Sequence, residues 1–233
     1  MENHNFIINS GDTDSIMFCK PDQSPFTKEE QNFLLNEINS LLPLEIKFAN
    51  DGVFEKVVIL RAKNYIMYDG KKMKKKGSSL KSSSLEPALK EMLNRLIDII
   101  VYKDDPVSEM VEVYHTYVKE IRDGFKDIKN WSKKQQLSPT TFNSERANET
   151  KVIDAIHGSD YRSGDRIYLF ILPNEDLCLT ERYEGSYNID KYLEKLFKTT
   201  MRFETILPVK DIFLNYKLKK NKEKLKDLGG SIV

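Results

Sequence analysis

Two aspartates near the start of the chain are the residues whose type and spacing could do chemistry. Asp12 and Asp14 stand between two short apolar runs, directly after Gly11. This pattern predicts a tight β-hairpin that carries acids at its tip. If the backbone is extended there, both carboxylates point to the same face, about 6–7 Å apart, and two such close anions favour a bound cation. Hard oxygen ligands of this kind suit Mg²⁺, which is usually bound by one or two carboxylates plus substrate phosphates.

The same Asp-x-Asp pattern has other interpretations. An acid-rich hairpin turn with solvated carboxylates is the simplest of them. A calcium-binding loop is nearly excluded, because Ile16 stands where the third ligand of that motif belongs. An aspartyl-nucleophile phosphatase also carries Asp-x-Asp after an apolar strand, but it expects Thr or Val in place of Ile16 and then a doubly wound α/β pattern. The downstream sequence does not alternate in that way, so the phosphatase stays a minor alternative.

A lysine-rich stretch is the second candidate site. Six lysines surround a Gly-Ser-Ser segment: Lys71, Lys72, Lys74, Lys75, Lys76 and Lys81. Cationic side chains next to backbone N–H and hydroxyl donors form a reasonable phosphate-binding surface. The alternative interpretation is a solvated edge hairpin, whose lysines discourage pairing with other strands.

Length and composition set the broad class of the protein. The 233 residues suffice for one large domain or two small ones, and the formal net charge of +1 argues neither for nor against a polyanionic partner. Cys19 and Cys178 lie far apart, so neither a disulfide framework nor a zinc site is expected. No run approaches roughly 18 apolar residues and no signal-peptide pattern opens the chain, so we expect a cytoplasmic protein without a membrane segment.

Periodicity and capping residues predict the elements that position these sites. Besides the hairpin, strands are expected over residues 44–48, 54–60, 61–68, 71–76 and 166–171. The pair Asp69-Gly70 predicts a hairpin turn between the strands over 61–68 and 71–76. Helices are expected over residues 27–42, 85–102 with Ser84 as cap, 106–124, 144–156 and 190–200. The first of them follows the spacing of a capping box, with Thr27 and Glu30 three residues apart. Residues 127–141 are predicted to be a loop, and the charge run over 217–226 a solvated tail or helix end. The pattern favours an α+β fold.

Three motifs, taken in order, resemble family B DNA polymerases. The Asp-Thr-Asp-Ser sequence of the hairpin is similar to the metal-binding hairpin of the family's palm. Lys63-Asn64-Tyr65 resembles its Lys-x-Tyr element on a palm strand, and Lys76-Gly77 its Lys-Gly element at the palm–thumb junction. The chain departs from the family where Ala62 replaces a frequent lysine and where serines replace arginines after the Lys-Gly element.

A fourth segment resembles the family more weakly. Residues 164–168, Gly-Asp-Arg-Ile-Tyr, look like its thumb segment with the tyrosine one place early. The resemblance implies a small antiparallel palm sheet with a packed helix, followed by a mostly helical thumb. Residues 1–84 would be the C-terminal half of the palm and residues 85–233 the thumb.

The resemblance also implies a reaction and the residues that perform it. The reaction is template-directed addition of a dNTP to a primer 3′-OH, with Asp14 as a direct Mg²⁺ ligand and Asp12 as a closely supporting carboxylate. The residues implied to hold the primer–template are Lys63, Tyr65, Lys74, Lys75, Lys76, Gly77 and Lys81.

Parts of the family pattern are missing from this sequence. It has no Asp-x-x-Ser-Leu-Tyr-Pro strand acid, no fingers helix and no proofreading exonuclease pattern. One pair of acids cannot complete a two-metal site. We therefore expect the chain to be inactive alone and to be a piece of something larger. An N-terminal part would complete it and would supply the second carboxylate ligand, the remaining palm, the fingers and the exonuclease. A sliding clamp would be a further partner.

The lysine-rich connections resemble phage or mobile-element members of the family, which would place the protein in a host cytoplasm. The main alternative to the catalytic interpretation is a non-catalytic DNA-binding remnant of such a polymerase.

Overall fold

The structure is a computed structural model that describes residues 6–81, 85–211 and 213. Of Ser79 and Lys81 it describes the backbone. The chain divides into two compact units, Met1–Lys81 and Ser82–Val233. Both units combine helices with small antiparallel sheets, which confirms the predicted α+β class.

Residues 6–81 of the first unit form two antiparallel sheets, where the sequence predicts a single one. Strands β1 (Ile7–Gly11) and β2 (Ile16–Cys19) form a hairpin, and strands β3 (Lys56–Arg61), β4 (Asn64–Tyr68) and β5 (Met73–Lys76) form a three-stranded sheet. Helix α1 (Lys28–Ser40) lies between them in the chain, and the short helix α2 (Ser78–Lys81) follows β5.

Helix α1 begins at the capping box that its sequence predicts. The Thr27 hydroxyl accepts a hydrogen bond from the backbone N–H of Glu30 at 3.2 Å, and the Glu30 carboxylate accepts one from the backbone N–H of Thr27 at 2.8 Å. These two bonds satisfy backbone donors that the first helical turn leaves open. The start of α1 is therefore set by residues three apart in the sequence.

The strand predicted over residues 44–48 is wrong. The backbone N–H of Phe48 donates to the Asn39 side chain at 2.7 Å, and the Phe48 carbonyl accepts from the same side chain at 3.0 Å. The backbone N–H of Ile46 donates to the Pro43 carbonyl at 2.9 Å, in a turn. Because its polar backbone groups are bonded to α1 and within this turn, the segment does not pair with a strand.

Two tight turns join the strands of the three-stranded sheet. Ala62 and Lys63 form the turn between β3 and β4, and Lys63 adopts a positive φ of 60°. In the turn between β4 and β5, the Asp69 carboxylate accepts hydrogen bonds from the backbone N–H groups of Lys71 and Lys72 at 3.0 and 2.7 Å. The second turn confirms the hairpin predicted from the Asp-Gly pair.

Three long helices lie in the described part of the second unit. These are α3 (Pro87–Tyr102), α4 (Pro106–Asp123) and, near the end of the described chain, α7 (Ile189–Thr200), and α3 packs against both others. Helix α3 begins later than predicted, with Glu86 at its N-cap; the predicted cap Ser84 lies outside the described residues. Gly124 ends α4, as predicted.

The loop predicted over residues 127–141 is wrong. The structure has a 3₁₀ turn (Ile128–Trp131), strand β6 (Lys133–Gln136) and helix α5 (Pro139–Asn143) there. Strand β6 consists of Lys and Gln alone, so it lacks the alternation of apolar residues that predicts a strand. Its pairing with the next strand, β7 (Arg166–Ile171), is antiparallel.

A small third strand and a helix complete this part of the second unit. Strand β7 pairs with β8 (Leu177–Leu179), which the sequence did not predict, and helix α6 (Ala147–Ile156) covers the sheet. The predicted helix over 144–156 is confirmed with a later start, and the predicted strand over 166–171 is confirmed as β7. Two further 3₁₀ turns lie at Thr180–Arg182 and Met201–Phe203.

The two units differ in how much apolar surface they bury. In the second unit the Phe125 ring stacks on Tyr187 with centroids 3.9 Å apart and on Trp131 at 4.9 Å, in the middle of a large core. The described apolar side chains buried in the first unit are Leu34, Leu60, Ile66, Met67 and Leu80. The charge run over 217–226 lies outside the described residues.

Candidate nucleic-acid and metal site

The tip of the β1–β2 hairpin is a four-residue turn that carries both aspartates. The backbone N–H of Asp12 donates to the Ser15 carbonyl at 2.8 Å, and Gly11 pairs with Ile16 across the hairpin. The predicted hairpin with acids at its tip is thus confirmed. The extended backbone on which the same-face argument depended is not, because the chain bends at Thr13 and Asp14.

The two carboxylates have different surroundings. Asp12 accepts a hydrogen bond from the backbone N–H of Thr13 at 2.9 Å and lies 3.3 Å from the Lys63 ammonium. The pKa of Asp12 is held below its ordinary value mainly by the hydrogen bond from the Thr13 N–H and, to a lesser extent, by Lys63. Asp14 is exposed, and within the described part of the chain its carboxylate has neither a hydrogen bond nor an ion pair. Asp14 is therefore the acid that is open to a ligand.

Strand β5 presents its lysines on two opposite faces. Successive side chains of a strand alternate between faces, so Lys74 and Lys76 lie on one face and Lys75 on the other. Lys76 is paired in register with Tyr65 of β4, and its ammonium is 5.9 Å from the Tyr65 ring centroid. The Lys74 ammonium lies 5.5 Å from the ring of Phe54. Two cations and two aromatic rings therefore share one face, called here the lysine face: Phe54, Tyr65, Lys74 and Lys76.

The remaining predicted residues lie next to this sheet. Gly77 directly follows β5 with a φ of 111° and lies against the turn that contains Lys63. Lys81 is the last residue of α2, and its side chain lies outside the described part of the structure. Sequence reasoning missed Phe54 and Asn64. Phe54 lies in the strand predicted over residues 54–60, and Asn64 occupies the variable position of the Lys-x-Tyr element.

Comparison with known proteins identifies the family. The family model of DNA polymerase family B matches residues 2–219, nearly the whole chain. The chain belongs to DNA polymerase family B. In a direct comparison, no curated protein matches the sequence.

A solved family B polymerase has the same fold. The chain is similar to the family B DNA polymerase from the hyperthermophilic archaeon Pyrobaculum calidifontis, with a TM-score of 0.67 and 14% sequence identity over 88% of this chain. The match covers 27% of the archaeal polymerase, so this chain spans about a quarter of that protein. Family membership leaves the phosphatase interpretation without support. Among the described helices, none is long and apolar enough to cross a membrane.

The acids of this family B chain fit part of a magnesium site. Asp12 and Asp14 supply hard carboxylate oxygens of the type that Mg²⁺ binds, with phosphates and water as the usual further ligands. In the described ranges, no group of three or more His, Cys, Asp or Glu side chains could hold a metal ion by itself. The two aspartates therefore supply the right kind of ligand for part of such a site.

The Lys63 contact predicts how the titration of Asp12 changes in a variant. We expect Lys63→Ala to raise the pKa of Asp12 toward its ordinary value, but not fully, because the Thr13 N–H remains. Because the pKa of Asp12 is lower in the folded than in the unfolded chain, Asp12 stabilises the fold at pH values above its unfolded-state pKa, which is about 4. This contribution is lost as the pH falls through the folded-state pKa. A carboxyl ¹³C NMR titration measures the change.

Asp22 is the control for this titration. Hydrogen bonds from Ser24 are the main cause that lowers its pKa, and Lys63 is not among the causes. Its titration should be unchanged in Lys63→Ala. An unchanged Asp12 pKa in the variant would show that Lys63 does not act on the hairpin tip in solution.

Proposed function

We propose that this chain is the C-terminal palm and thumb portion of a DNA-directed DNA polymerase. One observation carries the proposal. Asp12 of the hairpin motif lies within ion-pair distance of Lys63 of the Lys-x-Tyr motif, at 3.3 Å, although the two motifs are far apart in the sequence. The unit Met1–Lys81 would be the palm portion and Ser82–Val233 the thumb.

Each residue of the site then has a role in nucleotidyl transfer. Asp14, the exposed acid, would be the direct Mg²⁺ ligand, and Asp12 would support it. When bound, the metal ions stabilise the charge on the attacking and leaving oxygens of the displacement. Lys63 offsets the negative charge at Asp12 and would contact the primer next to the reacting 3′ end.

The lysine face would hold the duplex. Lys74 and Lys76 are exposed cations that can bind backbone phosphates, and such contacts set the register of the protein on DNA without selecting its sequence. Tyr65 lies under the Lys76 ammonium, so an aromatic ring and two cations can act on the same stretch of backbone. Lys75, on the opposite face, would contribute less.

Exposed apolar side chains support completion of the first unit by another part of the polymerase. Ile7 and Ile8 are neighbours in β1, so they lie on opposite faces of the hairpin, yet 47% and 59% of their surfaces are exposed. A strand that is apolar on both faces is typical of a sheet covered on both sides. Other large apolar residues exposed in this unit are Ile16, Phe33, Leu41, Leu44, Ile46 and Val53.

The remaining palm, the fingers and the exonuclease would cover this surface. This chain covers 27% of the archaeal polymerase, which leaves room in that protein for the segments that the proposal requires. They would also supply the second carboxylate ligand, the binding site of the dNTP and the contact with a sliding clamp.

Reconstitution tests the proposed function. The chain is mixed with a polypeptide that carries the N-terminal palm, fingers and exonuclease of a family B polymerase, and extension of a primed template is measured with Mg²⁺. We expect extension by the mixture and none by either part. Robust extension by this chain alone would contradict the dependence on a second part. A mixture that binds the duplex but does not extend it would favour the non-catalytic remnant.

A further inference from the structure

Gly77 occupies a position that no other residue fits without a shift of the neighbouring turn. Its φ of 111° is in the region that favours glycine. A Cβ added there would lie 2.5 Å from the Lys63 carbonyl oxygen and closer still to the Asn64 side-chain oxygen. One obstacle is backbone and the other belongs to a side chain that is 6% exposed, so neither can move away at low cost.

The turn that Gly77 contacts holds Lys63 in an unusual conformation. Lys63 has a φ of 60°, which is uncommon for a residue with a side chain. Next to it, the Asn64 side chain donates a hydrogen bond to the Ala62 carbonyl at 2.9 Å, across the turn. The conformation of Lys63 is therefore supported from within the turn by Asn64 and from outside by the close approach of Gly77.

We propose that Gly77 and Asn64 are positioning residues for Lys63. Gly77 lets the end of β5 lie directly against the β3–β4 turn, and Asn64 fixes that turn, so that the Lys63 ammonium is presented at Asp12 on the hairpin tip. The Lys-Gly element thereby acts on the candidate site through the Lys-x-Tyr turn. The role of Lys63 in holding DNA rests on the proposed function; the packing of Gly77 on the turn does not.

The matched variants are Gly77→Ala and Gly124→Ala. Gly124 has a φ of 110°, almost the same as Gly77, but a Cβ there would meet no atom within 4 Å. Both substitutions place a side chain at nearly the same positive φ, whereas of the two Gly77→Ala alone forces atoms of Lys63 and Asn64 to move. A change at the β3–β4 turn in Gly77→Ala but not in Gly124→Ala is therefore not a general effect of alanine at a positive φ.

Two measurements on the full chain test the proposal. We expect Gly77→Ala to change the backbone NMR resonances of Lys63 and Asn64, and Gly124→Ala to leave them unchanged. In binding to a primed DNA duplex, Gly77→Ala should reduce the slope of log affinity against log salt by about 0.9, the share of one phosphate contact. Lys63→Ala should reduce the salt slope by the same amount. The double variant, Gly77→Ala with Lys63→Ala, should reduce it no further.

Each outcome decides the proposal. The proposal is overturned if the resonances of Lys63 and Asn64 are unchanged in Gly77→Ala. It is also overturned if the reductions in salt slope caused by Gly77→Ala and Lys63→Ala add up in the double variant. If the unsubstituted chain does not bind the duplex, the proposed function fails, but the resonances still test the packing. If Gly77→Ala does not fold, Asn64→Ala replaces it. Because this variant removes the hydrogen bond to Ala62, it should shift the Lys63 resonances. Unchanged Lys63 resonances would overturn the proposal.

Discussion

Replacement of Asp14 by Asn is expected to lower primer extension by the completed polymerase by about 10²–10³-fold or more, the range found when one group that stabilises transition-state charge is removed. Asn keeps the size of the side chain but removes the charge that would bind Mg²⁺. Because Asp14 is exposed and has no partner in the described part of the chain, the fold should be unaffected, with a change in unfolding free energy within about 0.5 kcal/mol. Single-turnover extension and thermal unfolding measure the two effects.

Asp22→Asn is the control for this experiment. Asp22 is another exposed loop aspartate of the first unit, hydrogen-bonded to Ser24, and its replacement should leave extension unchanged. Asp12→Asn should reduce extension less than Asp14→Asn, since Asp12 is already bonded to Thr13 and paired with Lys63. Full extension by Asp14→Asn would refute its assignment as a metal ligand.

Lys195→Ala is expected to destabilise the second unit by about 3 kcal/mol, at the lower end of the range for a buried pair that loses one partner. Lys195 forms an ion pair with Glu86, whose side chain is 4% exposed, while Lys195 itself is 32% exposed. Without the ammonium, the Glu86 carboxylate is left buried near the start of α3 without its counter-charge. Urea unfolding at neutral pH measures the loss.

Lys198→Ala is the matched control on the same helix. Lys198 pairs with Glu194 at 2.6 Å, but the two side chains are 71% and 38% exposed, so its removal should cost about 0.3–0.5 kcal/mol. Combining Glu86→Gln with Lys195→Ala should recover part of the lost stability, because the buried charge is removed as well. Equal losses in Lys195→Ala and Lys198→Ala would show that the burial of Glu86 does not matter.

The features that the sequence predicts correctly depend on residues close together in the chain. The capping box of Thr27 and Glu30, the Asp69 turn and the acids at the hairpin tip each involve a few neighbouring residues. Local rules of this kind require no knowledge of the rest of the fold. The five helices that the sequence predicts are placed to within a few residues for the same reason, since apolar periodicity extends over several turns. The short helices α2 and α5 have no such periodicity and are not predicted.

The errors arise where distant or polar interactions decide the structure. Nothing in residues 44–48 indicates that Asn39 bonds to the backbone of Phe48. Strand β6 has no apolar residue to mark it. Alternation along a strand divides the three lysines between two faces, but which of them share a face with Tyr65 depends on the register of β5 with β4. A run of three lysines contains no signal for that register.

The ion pair between Asp12 and Lys63 could not be predicted from the sequence either. It depends on two turns, and on the positive φ of Lys63 in one of them. Motif resemblance suggested that both residues serve one reaction, but the fold is what places them together. The role inferred for Gly77 likewise depends on the turn that it contacts, which the sequence does not predict.

The salt dependence of duplex binding is the most direct test of a lysine face that holds the primer–template. Affinity for a primed duplex is measured across a salt series for the unsubstituted chain, for Lys74→Ala/Lys76→Ala and for Lys75→Ala. We predict that the double variant reduces the slope of log affinity against log salt by about 1.8, the share of two phosphate contacts, and that Lys75→Ala leaves the slope nearly unchanged. Equal slopes for all three proteins, or a larger reduction in Lys75→Ala, would contradict this role of the lysine face.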